Sequence, residues 1–410
     1  MLILAPALRQ IVRTGSLEIV DSSGKVHRFG DGTGTPVRAR FHDAALPWKI
    51  LFSPSLGFGE GYMDGRLTIE QGTLYDFLYV LTDNVDRTGP LWYHSLLNNM
   101  GKLFRRIQQF NPASRAKNNV AHHYDLKPEL FELFLDRDRQ YSCAYFDSLD
   151  DDIDTAQENK KRHLAAKLLL GDGQRVLDIG CGWGGLGLYI ARRFDASVTG
   201  ITLSEEQHAI ANERAKAERL AGRARFDLRD YRAQTGSFER IVSVGMFEHV
   251  GVPHFDEFFG KIKELLTDDG VALLHTIGRS EPPDVTDPWY RKYIFPGGYL
   301  PALSEIMSSI ERSGLIVTDI EFIGPHYAET CRHWRNRFLA RRDEAKAMYD
   351  ERFCLMWEFY LATAELLFRT MRKTVFQIQM VKNRQAVPMT RDYIYEYERA
   401  KPRGIERLSA

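Results

Sequence analysis

Over the first seventy residues apolar and polar positions alternate in short runs, the period-two pattern of half-buried strands. SLEIV from Ser16, KVHRFG from Lys25, PVRARFH from Pro36 and RLTIE from Arg66 are separated by Gly, Asp and Pro turns. They predict a small α+β module within an N-terminal domain, residues 1–99. Beyond about Asn118 strands alternate with helices, which predicts a parallel α/β sheet over residues 120–410. Seven runs carry the strand signature: RVLDI from Arg175, SVTGI from Ser197, ARFDL from Ala224, RIVSV from Arg240, VALLHT from Val271, LIVTDIEF from Leu315 and TVFQIQMV from Thr374. EEQHAIANERAKAERLAG, from Glu205, reads as a helix closed by Gly222.

Residues 100–119 fit neither pattern. Lys102, Arg105, Arg106, Arg115 and Lys117 occur there without an acidic neighbour, so the stretch reads as a basic linker. Leu103, Phe104, Ile107 and Phe110 recur beside the arginines at helical spacing, which leaves open an interfacial helix on anionic lipid.

Composition narrows the class. A hydrophobic share of 44% and a charged share of 27% are those of a folded globular chain. With a formal net charge of zero, no whole-molecule field favours nucleic acid, and none is expected as a partner. Cys143, Cys181, Cys331 and Cys354 show no paired metal spacing and no disulfide density, so a reducing cytoplasm and no metal site are expected. The apolar start, Met1 to Ala7, is broken by Pro6 and followed by Arg9 and Arg13, and no later run reaches spanning length. A lipid substrate would therefore be met from the water side.

Strand VLDI runs straight into Gly180-Cys-Gly182-Trp-Gly184-Gly185, where glycines let the chain turn sharply and a ligand touch the backbone. The spacing, with Asp178 just ahead, departs from the Gly-x-Gly-x-x-Gly of dinucleotide enzymes. The next strand ends in Thr202-Leu-Ser204 instead of an acid, with Gln207 following, and the third leads to Asp230-Tyr231. Hydroxyls and an amide can bind a ribose and an adenine edge, while an acceptor and a ring can hold the adenine amino group and face. These details favour S-adenosylmethionine over a nicotinamide cofactor.

Taken in order, YSCAYF from Tyr141, VLDIGCGWGG from Val176, GITLSEEQ from Gly200, LRDYR from Leu228, RIVSVGMFEHVG from Arg240, LLHTIG from Leu273 and DPWYRKYIFPGG from Asp287 resemble the cyclopropane fatty acid synthases. The resemblance runs from about His122 to the VFQIQ strand, and the N-terminal module with GEGYMDG looks like that family's smaller lipid-associated domain. It implies an α/β fold of class I methyltransferase type, a Rossmann-like seven-stranded sheet. It implies an S-adenosylmethionine site at Tyr141, Ser142, Gly180, Gly182, Thr202, Gln207, Asp230 and Tyr231, to which the glycine turn adds Asp178 and Gly184. It also implies a bicarbonate ion held by Cys143, Glu248, His275, the backbone at Ile277, and Tyr327.

The implied reaction is methylene transfer to a cis double bond of phospholipid acyl chains. An alkene is a weak nucleophile, so it needs the sulfonium methyl aligned with its π-bond. Ring closure then needs a base for one proton of the delivered carbon, in a slot that excludes water. His275, Tyr327, Cys143 and an amide can donate to an anion, while Glu248 can accept its hydroxyl or fix the His275 tautomer. Taken singly, each residue has a plainer reading: Glu248 and His249 as a helix cap, Cys143 as a core filler, His275 as a satisfied core histidine.

Two positions depart from the family pattern. Lys127-Pro128 stands where Gly-Asn is usual, which puts the path of the loop over the site in doubt, and Phe146 replaces a frequent Trp. WYRKYIFPGGYLP, from Trp289, suits either a membrane-meeting loop or packing beside the pocket, and CLMWEFYLATAELLF, from Cys354, either an acyl slot wall or core. A fatty acid C-methyltransferase giving a branched or methylene product, and a non-catalytic lipid-binding protein, stay as alternatives. Peripheral contact with the inner face of the membrane and a homodimer are further expectations.

Overall fold

The computed structural model describes residues 1, 3–88 and 126–399. The basic stretch 100–119, with the interfacial helix and the domain boundary expected there, lies outside them.

The N-terminal part of the chain opens with helix α1 (Leu4–Ile11) and places the four expected strands β1 (Ser16–Val20), β2 (Val26–Phe29), β3 (Pro36–Phe41) and β4 (Leu67–Gln71) in one sheet, in the order β2-β1-β3-β4. Leu17, Ile19, Val37, Ala39 and Phe41 face inward, as the alternation requires, and pack with Leu74 and Phe77. The last two begin helix α4 (Leu74–Thr88). Between β3 and β4 lie α2 (Leu46–Phe52) and α3 (Pro54–Met63).

Helix α3 makes the junction with the rest of the molecule. A Cβ at Gly59 would lie 2.3 Å from Trp289 Nε1, so only glycine lets this turn reach the indole. Around that contact Glu60 accepts from Lys292 at 2.7 Å and from the Tyr293 hydroxyl at 3.0 Å, and Arg352 pairs with Asp64 at 3.0 Å.

Beyond residue 126 helix α5 (Ile153–Lys167) precedes β5 (Arg175–Ile179), α6 (Gly185–Arg193), β6 (Ser197–Thr202), α7 (Glu205–Ala217), β7 (Ala224–Leu228) and β8 (Phe238–Val244). Helix α8 (Phe255–Leu265), β9 (Leu266–Arg279), α9 (Pro288–Tyr293), β10 (Ile316–Phe322), α10 (Gly324–Ala340), α11 (Glu351–Arg369) and β11 (Lys373–Val381) complete the frame of the sheet. The strand order is β10-β11-β9-β8-β5-β6-β7, with β5 to β9 parallel and β11 antiparallel to both neighbours. All seven expected strands are present, in a class I methyltransferase fold. After β7 the chain returns past β5 to add β8, so a crevice opens beyond the carboxyl ends of β5 and β8.

One expected boundary differs. Helix α7 ends at Ala217, and the chain turns at Arg219 with φ 58°, where the Leu220 amide returns to Ala215 O at 2.7 Å. Gly222 therefore does not cap it; a non-glycine residue takes the left-handed position, which the sequence pattern does not reveal.

Candidate active site

The crevice is a cleft with the glycine turn along one side. Asp178 ends its approach on β5, and Gly180 and Gly182 follow with φ 83° and 55°. A Cβ at Gly180 would lie 2.7 Å from Met246 Cβ, so the loops after β5 and β8 close together only because that side chain is missing. A Cβ at Gly182 would meet nothing within 4 Å, which leaves its backbone open to a ligand.

Tyr141, Ser142, Asp178, Gly180, Gly182, Thr202, Gln207, Asp230 and Tyr231 all line this cleft. Gly184 does not: it starts α6 with φ 81° and lies beneath Phe226, so its part is the turn itself. Thr202 donates its hydroxyl to Gln207 Oε1 at 2.9 Å, and Ser204 caps α7 by accepting from the Gln207 amide at 3.3 Å. Asp230 is clamped by Arg232 through Nε at 2.8 Å and Nη2 at 2.7 Å. Burial raises its pKa, but those hydrogen bonds outweigh burial and hold it below the usual value.

The segment before α5 forms the lip of the cleft. The Tyr141 ring packs against Phe131 and Trp334, and its hydroxyl meets that of Tyr360 at 2.7 Å. Trp183, Met246 and His249, to which the sequence assigned no binding part, also reach the wall. Asp178 Oδ2 is buried without a hydrogen-bond partner among the described residues, and burial pushes the carboxyl up to about 7. An unpaired acceptor, an open glycine backbone and aromatic walls fit the amino group, ribose and adenine of S-adenosylmethionine.

The five residues expected around an anion come from four places. Glu248 lies in the short turn after β8 and accepts the Ile277 amide of β9 through Oε1 at 2.6 Å. Its Oε2 is buried and unpartnered, and burial raises the acid to about 7. Cys143 and Tyr327 are both buried in the core cluster that Ile277 borders, and each lies within the other's electrostatic reach. Burial pushes the thiol and the phenol well up, so both keep their protons.

His275 points to the same side of β9 as Ile277, two residues on. Its Nδ1 meets Gln377 Nε2 at 3.2 Å, so Gln377 of β11, and not Glu248, orients the ring. Burial holds His275 well below its usual pKa, neutral with one N–H to donate. The thiol, the phenol and the imidazole are thus neutral donors and Glu248 has an oxygen to spare, groups of the kind a small protonated anion such as bicarbonate requires. The Ile277 amide, however, is already taken by Glu248, and none of the five residues lines the cleft.

Around this centre the two departures from the family pattern are accommodated. Pro128 opens a short helix, and the Lys127 amide donates to the Tyr349 hydroxyl at 2.8 Å. Phe146 stacks on His326 and His333 and keeps an aromatic wall. In the WYRKYIFPGGYLP segment Trp289 and Tyr299 are buried, and Trp289 packs at a tilt against Phe359 of α11 and against Gly59, while Arg291 and Lys292 face outward.

The family described as mycolic acid cyclopropane synthetase matches residues 112–378. The cyclopropane-fatty-acyl-phospholipid synthase of Escherichia coli K12 is 38% identical over 330 residues, 80% of this chain and 84% of that protein. The tuberculostearic acid methyltransferase of Mycobacterium tuberculosis is 36% identical over 374 residues, 86% of this chain and 87% of its own. Among solved structures, a mycolic acid cyclopropane synthase complexed with SAH and CTAB superposes with a TM-score of 0.62 at 32% identity, covering 66% of this chain and 99% of that one. A cleft at the sheet's switch point and motifs in matching order thus agree with direct sequence similarity, and the chain belongs to the mycolic acid cyclopropane synthetase family and is an enzyme.

Proposed function

We propose that this enzyme transfers a methylene unit from S-adenosylmethionine to the cis double bond of unsaturated phospholipid acyl chains, with bicarbonate as proton acceptor. The observation that carries the reading is Glu248, buried and anchored by the Ile277 amide, with its second oxygen unpartnered among the described residues. When bound, the sulfonium donor supplies an electrophilic carbon and the anion a compact base.

The chain's own residues supply position and proton control. Gly180 sets the turn, Gly182 offers open backbone to the donor, Tyr141 and Ser142 close over it, and Asp178 has an acceptor to spare. Cys143, Tyr327 and His275 stay neutral and can donate to the anion. Glu248 near its midpoint at neutral pH can carry the proton that would otherwise leave two anions facing each other. Phe131, Trp183, Trp334 and Tyr360 exclude water that would trap a carbocation.

The second reading, C-methylation to a branched or methylene product, is favoured by relatives that bear methyltransferase names at 39% and 36% identity. Among the described residues no helix is long and apolar enough to cross a membrane, which accords with a cytoplasmic enzyme that meets bilayer lipid peripherally. Incubation with vesicles of a defined mono-unsaturated phospholipid and methyl-labelled S-adenosylmethionine tests both readings. A ring and a methyl-branched alkene have one formula, so ozonolysis or proton spectroscopy distinguishes them; label in neither overturns the proposal.

A further inference from the structure

Helix α5 carries a lysine that the reaction chemistry has not used. Lys160 is fully buried, and its ammonium donates to Gln140 Oε1 at 2.6 Å and to Ser142 Oγ at 2.9 Å. Those two side chains flank Tyr141 on the lip of the donor cleft, and all three line it. Burying a cation is costly unless it is paired or performs a task. No carboxylate among the described residues lies within salt-bridge distance of Lys160, whereas its neighbour Lys161 is paired with Asp138 at 2.7 Å.

We infer that Lys160 is a positioning residue of the donor cleft: its ammonium pins Gln140 and Ser142, fixing the lip segment that carries Tyr141, and it acts within electrostatic reach of Asp178. The inference rests on the cleft being the S-adenosylmethionine site. A flexible lip would have to be ordered each time the donor binds, and a pre-set lip removes that cost.

The surroundings of Lys160 define when it is charged. Asp136, Asp138 and Cys143 face it from the segment before α5, Lys161 from its own helix, Asp178 from β5 and His275 from β9. Burial, opposed by Asp136, lowers it to about 8, so it titrates just above neutrality. A neutral amine still forms hydrogen bonds, but weaker ones.

The test compares S-adenosylhomocysteine binding by calorimetry in the full chain, Lys160→Met and Lys160→Arg, with thermal melts to confirm folding. In Lys160→Met affinity falls about tenfold or more at pH near 7, and KM for S-adenosylmethionine rises in step while kcat changes less. Lys160→Arg, charged at every accessible pH, restores binding to within about threefold and keeps it at pH about 9.5, where the wild type has weakened. The ligand's amino group titrates alike in each protein, so the difference between profiles reports residue 160. Binding by Lys160→Met within about twofold of wild type, or one shared pH profile, overturns the inference. Failure of both variants to fold assigns Lys160 to stability and overturns it as well. A wild type that binds no S-adenosylhomocysteine defeats the reading of the cleft itself.

Discussion

The backbone amide of Ile277 donates to Glu248 Oε1 at 2.6 Å, while Glu248 Oε2 lies buried with no partner among the described residues. One bond fixes the carboxyl, and the other oxygen is the one that the proposed anion would meet.

Replacing Glu248 by Gln keeps an acceptor for Ile277 but removes the exchangeable proton. Turnover is expected to fall by about a hundredfold or more, with S-adenosylhomocysteine affinity within about threefold of wild type. Product formation and calorimetry check this, and an equal loss of both would sink the role given to Glu248.

The same acid makes stability depend on pH. Its folded pKa, about 7, lies above its ordinary value of 4.5, so the folded state binds more protons than the unfolded state in between. Stability from this group is full at low pH and is lost as pH rises through that window, and Asp178, also raised to about 7, adds in the same direction. The melting temperature of ligand-free Glu248→Gln should therefore fall less than that of wild type between pH about 5 and 8. Parallel curves for the two proteins would contradict this.

Gln377 orients His275 across the β9–β11 pair. Gln377→Leu leaves the ring nitrogen unpartnered in the core and frees the ring, so kcat should drop about tenfold or more. Steady-state assays with matched melts separate this from unfolding; unchanged kcat would remove Gln377 from the site.

At the domain junction, Gly59→Ala places a methyl group where Trp289 Nε1 now lies, 2.3 Å away. Overpacking of this kind costs about 1–3 kcal/mol, read as a lowered denaturant midpoint. If the midpoint holds, the helix and the indole have room that the contact denies.

The eleven strands of the described residues were legible because their alternation and turn residues agree with the final sheets. Nine of the ten donor-site residues line one cleft, most of them at or just after the carboxyl ends of β5, β6 and β7, with Tyr141 and Ser142 brought in by the segment before α5. Lys160 and Gln377 were not assigned a part. Lys160 falls on the same helical stripe as the buried Ala156 and Leu164, a spacing that could have flagged it. Gln377 belongs to a strand that pairs with β9 about a hundred residues earlier in the chain, and no local pattern reports such a partner. For the same reason no local pattern tells which side chain orients His275, and packing gives that part to Gln377.

The antiparallel β11 is the last strand in chain order, yet it sits inside the sheet, between β10 and β9. During vectorial synthesis the nascent polypeptide can assemble β5 to β9 and their helices first, but a gap must stay open beside β9 until its final partner emerges. Until that insertion His275 lacks its anchor, so the nucleotide-binding half can mature on the ribosome before the half that manages protons.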